Sequence, residues 1–264
     1  MTTPKLLVVG GGKMGSAMVA GILDAGWAAP GEVAVTDPDS AQRDRLAERH
    51  PGLVVLDAPV DAEGALLAVK QDATDGACRA LGALGVPRVL SIVAGINTAR
   101  LESVLPPGTV VVRAIPNTPS LVGAGVAAMS GGSTAISADL DWAESILGAV
   151  GLVVRLPERH LDAVTGLSGS GPAYLFLVAE ALIEAGVAAG LPRDVSSQLV
   201  VGTLSGSAKL LSETGDDPAV LRAAVTSPGG TTAAGLRTLE FKAVRSAFIE
   251  AVAAATERSR QLGR

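Results

Sequence analysis

The stretch Leu6-Leu7-Val8-Val9-Gly10-Gly11-Gly12-Lys13-Met14-Gly15 decides the fold of this chain. Its four leading apolar residues predict a buried strand, and the glycines that follow turn the chain straight into a helical pattern. Within that pattern Met14, Met18 and Ile22 fall on one face. The stretch therefore predicts a strand, a tight turn and an amphipathic helix in immediate succession.

The glycines of this stretch fit the spacing G-x-G-x-x-G at Gly10, Gly12 and Gly15. Between a strand and a helix, the first glycine permits the tight turn, and the second lets the backbone approach a pyrophosphate. The third lets the helix pack closely on the strand, and the phosphates then lie at the positive end of the helix. We expect a dinucleotide site here; a purely structural strand-to-helix turn is the alternative.

Composition excludes several classes of protein. The chain has 264 residues, enough for one or two domains, and it is 48% hydrophobic but only 2% aromatic, so its core must consist of Ala, Val and Leu. The net charge is −5 without a run of basic residues, which argues against nucleic acid as a partner. The mean hydropathy is +0.42, but Glu180 and Glu184 interrupt the most apolar long stretch. We therefore expect no membrane span.

Cysteine and histidine are scarce. Cys78 is the single cysteine, which excludes an intrachain disulfide and fits a reducing cytoplasmic location. The two histidines, His50 and His160, are expected at the surface, and with one cysteine they make a Cys/His metal site improbable. Carboxylate metal sites stay open on these grounds, and we expect no metal.

Strands and helices alternate up to Pro157. This alternation predicts a Rossmann-like α/β domain over residues 1–157, with a mostly parallel, doubly wound sheet. The predicted strands after the first are Glu32–Thr36, Leu53–Val55, Leu66–Val69, Val89–Val93, Val110–Val112, Gly125–Met129 and Leu152–Arg155. The predicted helices include 73–84, a short one capped by Thr98, and 139–149.

Polar residues follow several of these strands. Asp37 ends the second strand, roughly 20 residues beyond the glycine turn, where an acid binds the adenosine ribose 2′-hydroxyl. The alternative is that it caps the helix that begins at 39 or 40. Lys70 ends a later strand at the edge where ligands of such sheets collect, although a solvated lysine is an equal alternative. Two prolines fix the loop Arg113–Pro119, which suits either ligand contacts or a plain turn.

Residues 158–264 contain no convincing strand and predict an all-α domain. We expect helices over 161–189, 193–211 and 219–225, and a last helix from Thr231 or Thr232 to about Arg260. The first of these carries Gly166-Leu167-Ser168-Gly169-Ser170-Gly171-Pro172-Ala173-Tyr174. Small residues inside helices favour close approach of another helix or a ligand. We infer that a second copy of the chain packs against this domain, with a compact monomer as the alternative.

The turn before the last helix reads Val225-Thr226-Ser227-Pro228-Gly229-Gly230-Thr231-Thr232. Glycines and hydroxyls ahead of a helix N-terminus offer N–H and O–H donors to an anion, most simply a carboxylate. An ordinary capped helix start is the alternative; it explains the hydroxyls well and the glycine pair less well.

With this turn, the sequence resembles the pyrroline-5-carboxylate reductase family over nearly its whole length. The block Thr226–Glu240 resembles the signature of that family, and Gly166–Tyr174, Ala68–Lys70 and Arg113–Pro119 resemble its other motifs in the same order. The resemblance implies nicotinamide-dependent reduction of 1-pyrroline-5-carboxylate to L-proline. It also implies a dimer with interlocking helical domains, often assembled into a decamer.

The resemblance assigns roles to particular residues. Ser227 and Thr232 are expected to be catalytic, with Thr232 bonded to the ring nitrogen. The substrate would be held by Ser227, Gly229, Gly230, Thr231 and Thr232. The cofactor residues that we expect are Val9, Gly10, Gly11, Gly12, Lys13, Met14, Gly15, Asp37, Ala68, Val69, Lys70, Ile92, Val93, Ala94 and Asn117.

Two positions depart from the family pattern. Gln71 stands where a proline usually follows Val-Lys, so the shape of that loop is open. Asp37 stands where many members carry small or basic residues suited to a 2′-phosphate, so NADP(H) and NAD(H) both stay open as cofactor.

Two rival functions remain at this point. One is a β-hydroxyacid dehydrogenase, which would carry a lysine on the helix after a Gly-rich turn; here that turn leads into Pro172-Ala173-Tyr174-Leu175. The other is a catalytically silent dinucleotide sensor, which would have no need of the hydroxyls at Ser227 and Thr232.

Overall fold

The computed structural model describes residues 3–263 and contains one eight-stranded sheet in the order β3-β2-β1-β4-β5-β6-β7-β8. All neighbouring strands pair in parallel except β6 and β7, which run antiparallel. The chain between these two strands is too short for the crossover that parallel strands require. The strands are β1 Leu6–Val9, β2 Val33–Thr36, β3 Val54–Leu56, β4 Ala65–Leu67, β5 Arg88–Ser91, β6 Val110–Ile115, β7 Gly125–Gly131 and β8 Gly151–Arg155.

Helices cover both faces of this sheet, as the doubly wound prediction requires. Leu6 and Val8 of β1 pack in one hydrophobic cluster with α1, α2 and α5, while Leu7 and Val9 pack in a second cluster with α3 and α4. The alternation follows from the strand period of two residues. The predicted Rossmann-like fold is confirmed. The helices of this part are α1 Lys13–Asp24, α2 Ser40–Arg49, α3 Thr74–Ala83, α4 Thr98–Val104 and α5 Ser137–Leu147.

The remaining helices lie beyond residue 160, where the described chain has no strand. The predicted helix over 161–189 is wrong in its middle, because residues Thr165–Gly169 form a π-helical turn that ends at Ser170. The small residues of that turn offer little apolar surface for packing. Inserted π turns are common at functional sites. The helices are α6 Leu161–Val164, α7 Gly171–Ala188, α8 Arg193–Thr214, α9 Pro218–Ala224, α10 Thr231–Phe241 and α11 Val244–Leu262.

The last predicted helix, from Thr231 to about Arg260, is also two helices. The break falls at Ala243, whose φ of 55° is left-handed. An L-residue other than Asn or Asp rarely adopts this conformation, so sequence patterning gave no sign of the break. The predicted cap of α4 needs a smaller correction: Asn97, not Thr98, is the N-cap, and its side chain accepts from the Arg100 N–H.

By internal contacts the chain divides into two compact units. The first contains the sheet and runs to Ser170, together with the chain from Ala253 onward; the second is Gly171–Val252. The division after residue 157 that the sequence indicates stays a prediction about domains. By its internal contacts, the π-helical turn belongs to the first unit.

Large apolar side chains of the second unit are exposed in the single chain, among them Leu175, Phe176, Leu177 and Phe241. By length and composition alone, the helical run Glu158–Ala188 is long and apolar enough to cross a membrane. Only 6% of its most apolar 18-residue segment is buried in the single chain. Such an apolar surface needs either lipid or another protein surface to cover it.

Candidate functional site

The glycine turn after β1 is shaped by crowding. Gly10 has a φ of 102°, and a Cβ there would lie 2.6 Å from the Ala68 carbonyl oxygen. A Cβ on Gly11 would lie 2.6 Å from Leu46 Cδ1, and one on Gly15 would overlap the Gly10 carbonyl oxygen. Gly10 and Gly15 admit only glycine because a Cβ there meets backbone, whereas a Cβ on Gly11 would displace the Leu46 side chain.

Gly12 is different. It is the N-cap of α1 with φ −61° and ψ −170°, which any residue can adopt, and a Cβ there meets nothing within 4 Å. No side chain caps this helix. The first N–H groups of a helix have no intrahelical acceptor and attract anions. The open space at Gly12 thus fits a phosphate-bearing dinucleotide, which a side chain at this position would obstruct.

The peptide of Gly11 is held from three sides. Its N–H donates to Asp37 Oδ2 at 2.7 Å, and its carbonyl accepts from Ser16 Oγ at 2.6 Å and from Gln42 Nε2. These bonds fix the turn between β1 and α1 in one conformation. The sequence analysis missed Ser16 and Gln42; a polar residue inside the first turn of each helix was the available signal.

Both carboxylate oxygens of Asp37 accept hydrogen bonds from backbone N–H groups. Oδ1 accepts from the Asp39 N–H at 2.9 Å, while Oδ2 accepts from Gly11. The cap of α2 is Asp39, whose side chain accepts from the Ala41 N–H. The alternative in which Asp37 caps that helix is therefore wrong. Asp37 is half-buried at the end of β2, and a carboxylate retains lone pairs for further donors.

Two arginines of α2 donate hydrogen bonds in this region, and one of them reaches the end of β2. Arg43 Nη1 donates to the backbone carbonyls of Asp37 at 2.8 Å and Pro38 at 3.0 Å. Arg45 Nη1 donates to Gln42 Oε1 at 3.2 Å. Arg43 thus lies at the end of β2, where both of these hydrogen bonds go to backbone carbonyl oxygens.

The carboxyl ends of four strands bring the predicted cofactor residues to one edge of the sheet. Val9 is in register with Thr36 and Leu67, and Leu67 is in register with Ser91. The residues that come next along each strand are therefore neighbours. They are Gly10, Asp37, Ala68 and Ile92, followed by Lys13 and Met14 of α1, Val69 and Lys70, and Val93 and Ala94.

Asn117 lies at the same edge, but its side chain is buried and holds protein. Its Nδ2 donates to the Ser168 carbonyl at 3.1 Å, and its Oδ1 accepts from the Val126 N–H at 2.9 Å. These bonds join the loop after β6 to β7 and to the π-helical turn. The geometry assigns the amide of Asn117 a positioning role.

The predicted substrate turn lies in the second unit. Gly229 has a φ of 71°, and Gly230 is the N-cap of α10 without a side-chain cap. The Gly230 N–H donates to the Ser227 carbonyl at 3.0 Å, and a Cβ on Gly230 would overlap Ser227 Oγ. Ser227 Oγ is therefore close to the uncapped helix start, and the side chains of Thr231 and Thr232 are exposed in the first turn. This turn can donate several N–H and O–H bonds to an anion.

Other reactive groups are scarce near these turns. Cys78 is fully buried, and burial, reinforced by Asp75, raises the pKa of its thiol to about 11. Burial and Arg49 lower the pKa of His50. His160 is exposed, as expected, whereas His50 is only partly so. Within residues 3–263 no group of three or more His, Cys, Asp or Glu is placed to hold a metal ion.

Comparison with known proteins places the chain. A pyrroline-5-carboxylate reductase from Synechocystis is 43% identical over 98% of both chains. The chain belongs to the pyrroline-5-carboxylate reductase family. Residues 158–262 match the family model for pyrroline-5-carboxylate reductase dimerisation, and residues 5–95 match that for NADP oxidoreductase, coenzyme F420-dependent.

Solved structures of this reductase family have the same fold. The enzyme from Coxiella burnetii is 34% identical with a TM-score of 0.92, covering 100% of both chains. The Plasmodium falciparum enzyme with NADP bound is 30% identical with a TM-score of 0.88, again covering 100% of both chains. The resemblance that begins at the substrate turn is thus confirmed along the whole chain.

The glycine turn yields a matched pair of substitutions. Gly12→Ala should leave the thermal midpoint nearly unchanged and weaken dinucleotide binding, since its methyl group occupies open space where phosphate would lie. Gly15→Ala should lower the midpoint, because its methyl group overlaps the Gly10 carbonyl. Calorimetric titration with NADH and NADPH, beside thermal melts, checks both; unchanged dinucleotide affinity in Gly12→Ala would contradict the assignment.

Proposed function

We propose that this chain is a pyrroline-5-carboxylate reductase that converts 1-pyrroline-5-carboxylate to L-proline in the last step of proline biosynthesis. The observation that carries the proposal is identity of 43% with a reductase of that name over 98% of both chains. Full-length similarity to this family argues against a β-hydroxyacid dehydrogenase. The hydroxyls of Ser227 and Thr232 argue against a silent sensor, which would have no need of them.

The reaction requires no strong acid or base from the protein. A bound reduced nicotinamide supplies a hydride to the imine carbon, and the electrons of the C=N double bond pass to nitrogen. The protonated imine is already electrophilic, and this addition directly gives the amine. The chain therefore has to bind the carboxylate, orient the ring and exclude misaligned approaches, with reacting atoms about 3–3.5 Å apart.

The substrate turn supplies the donors for this task. Its uncapped helix start and the hydroxyls of Ser227, Thr231 and Thr232 suit the substrate carboxylate and ring nitrogen. A threonine hydroxyl can bond the ring nitrogen without acting as a strong acid. We assign Ser227 and Thr232 the catalytic contacts, and Ser227, Gly229, Gly230, Thr231 and Thr232 the binding of substrate.

For the cofactor we propose the strand-end residues of the sheet. The open position at Gly12 supports this assignment, as does the half-buried carboxylate of Asp37. The proposed contacts are Val9 to Gly15, Asp37, Ala68 to Lys70, Ile92 to Ala94, and Asn117 as a neighbour that positions the loop. We also propose a domain division after residue 157, a cytoplasmic location, and no metal, nucleic acid or membrane partner.

Thr232→Ala should lower kcat/KM for 1-pyrroline-5-carboxylate roughly 10- to 100-fold, corresponding to a bond of about 1.5–3 kcal/mol. Dinucleotide affinity should barely change. Thr238→Ala on the same helix is the control, since the Thr238 hydroxyl donates to the Ala234 carbonyl within α10. Steady-state assays that follow cofactor absorbance measure both; wild-type kinetics for Thr232→Ala would remove this residue from the site.

Asp37 bears on the choice of cofactor, and we propose that it shifts preference towards NADH. Its carboxylate can accept bonds from ribose hydroxyls, whereas a 2′-phosphate would bring like charges together. That repulsion costs on the order of 1–4 kcal/mol at about 4 Å for effective dielectrics between 80 and 20. Arg43 donates to the backbone at the same strand end, which leaves fewer of its N–H groups for a phosphate.

Replacement of Asp37 by serine tests this preference. Asp37→Ser should raise kcat/KM for NADPH relative to NADH, because it removes the opposing charge and keeps a hydrogen-bonding group. Arg45→Gln is a control on the same helix, since Arg45 bonds to Gln42 rather than to the strand end. A wild type that strongly prefers NADPH, with an unchanged ratio in Asp37→Ser, would show that the carboxylate serves only to hold the backbone of Gly11 and Asp39.

We further propose that the chain forms a homodimer through its helical region; a decamer is the larger assembly that the family resemblance implies. The exposed apolar side chains of α7 and the match to a dimerisation family support this. A second copy covers such a surface at less cost than lipid does, because Glu180 and Glu184 interrupt it.

Multi-angle light scattering on the purified chain should therefore give the mass of a dimer or of a multiple of dimers. Phe176→Glu, on the exposed face of α7, should shift the mass towards one chain, because it places a charge in an apolar contact. A wild type that is an active monomer at micromolar concentration would refute the proposal.

A further inference from the structure

The C-terminal end of α11 lies at the sheet edge, beside two of the segments proposed for the cofactor. The chain from Ala253 onward belongs to the first compact unit, as the sheet does. The last turn of α11 contacts the residues that follow Lys70 after β4 and Ala94 after β5. Because β4 and β5 are neighbouring parallel strands, both segments leave the same edge of the sheet, where ligands of such folds bind.

Leu262 meets both segments at one point. Its carbonyl oxygen accepts a hydrogen bond from Gln71 Nε2 at 2.8 Å. A Cβ on Gly95 would lie 3.2 Å from Leu262 Cβ and 3.4 Å from Gln71 Nε2. A Cβ on Gly263 would lie 3.2 Å from the Gly95 carbonyl oxygen. Gly95 is buried, so the end of α11 packs directly on the segment that follows Ala94.

The Gln71 amide also satisfies a carbonyl group at the end of α11. The last four carbonyl groups of a helix have no intrahelical donor, and Leu262 is the last residue of this helix. One turn earlier, the buried Ser259 donates from its hydroxyl to Asp162 Oδ1 at 2.7 Å. The end of α11 is thus held at two places, by α6 through Ser259 and by the segment after β4 through Gln71.

The backbone at Lys70 shows what the bond from Gln71 to Leu262 restricts. Lys70 has φ −69° and ψ 157° and precedes the 3₁₀ turn Gln71–Ala73, which has no side-chain cap. Its carbonyl oxygen accepts from the Ala73 N–H at 3.1 Å. A 3₁₀ turn has poorer hydrogen-bond geometry than an α-helix. A contact from outside to the first residue of the turn therefore limits the movement of Lys70.

We propose that Gln71 is a positioning residue for the dinucleotide, which rests on the cofactor contacts proposed above for Lys70 and Ala94. In this role Gln71 does not touch the cofactor. Through Leu262 it holds the segments after β4 and β5 in their binding arrangement before the dinucleotide arrives. Segments that are already ordered lose less conformational entropy on binding, so the affinity for the dinucleotide is higher. Once bound, the dinucleotide itself holds them, and kcat at saturation does not depend on Gln71.

Gln71→Met tests this role, because methionine has nearly the length of glutamine but no N–H donor. Calorimetric titration of the full-length protein should give Kd values for NADH and NADPH about three- to tenfold above those of wild type, the range of one net hydrogen bond. The kcat at saturating dinucleotide and the KM for 1-pyrroline-5-carboxylate should change less than about twofold. The thermal midpoint should stay unchanged, since Gln71 is exposed. Gln261→Met is the matched control, because the Gln261 amide bonds to Glu257 within α11.

Gln71→Pro separates positioning from direct contact with the cofactor. Proline has no N–H donor, but it fits the first position of a helical turn, and the extended backbone of Lys70 suits a residue before proline. The fixed φ of proline restricts the same segment without help from Leu262. Gln71→Pro should therefore bind both dinucleotides within about twofold of wild type. A loss as large as that of Gln71→Met would mean that the amide itself binds the cofactor, which overturns the positioning role.

Hydrogen exchange of the free protein checks the contact without any cofactor. In Gln71→Met, the amide hydrogens in the last turn of α11 should exchange faster than in wild type or in Gln261→Met, by about the same three- to tenfold factor. Either an unchanged exchange rate or an unchanged dinucleotide affinity in Gln71→Met overturns the positioning role. Wild-type turnover of 1-pyrroline-5-carboxylate then leaves the reductase function standing. A wild type that binds dinucleotide and responds to Gln71→Met, but never reduces this substrate, refutes the reductase function and supports the positioning role.

Discussion

The close approach of Gly10 to the Ala68 carbonyl is the constraint on which the rest of the sheet edge depends. A Cβ at Gly10 would lie 2.6 Å from that oxygen, so β1 can turn into α1 only where no side chain intervenes. This glycine turn also places Gly15 against Gly10 and brings the Gly11 N–H to the Asp37 carboxylate. One local shape therefore fixes the helix start, the strand end and the carboxylate of Asp37.

Much of the first domain could be predicted from the sequence because its strands are short, continuous apolar runs. Leu6–Val9 and Val33–Thr36 have the expected bounds or nearly so, since a parallel strand is buried on both faces and needs no polar alternation. The antiparallel pairing of β6 and β7 could also have been predicted, from the length of the chain that joins them. The link from Pro116 to Ala124 is shorter than a parallel crossover allows.

The helical region was less predictable, for a physical reason. The π-helical turn at Thr165–Gly169 and the left-handed Ala243 lie inside stretches for which the sequence predicts continuous helices. Tertiary contacts impose such breaks, and periodicity does not record them. The same limit applies to the site: spacing pointed to Asp37, but only coordinates show that its carboxylate already holds Gly11 and that Asp39 caps the helix.

The two units divide the chemical work in this account. The proposed cofactor site uses the open space at Gly12 on the sheet edge, and the proposed substrate site uses the uncapped start of α10. Neither unit carries a strong acid or base in these turns, which agrees with a substrate that is already electrophilic. The enzyme in this account is therefore a positioning device, and its catalytic power comes from alignment.

Transfer of deuterium tests the central claim most directly. The purified chain is incubated with 1-pyrroline-5-carboxylate and NADH or NADPH deuterated at the hydride-donating carbon, and the product is analysed by mass spectrometry and NMR. The account predicts L-proline with one deuterium on the ring carbon that was the imine carbon. Proline without deuterium, or cofactor bound but never oxidised in the presence of this substrate, would contradict it.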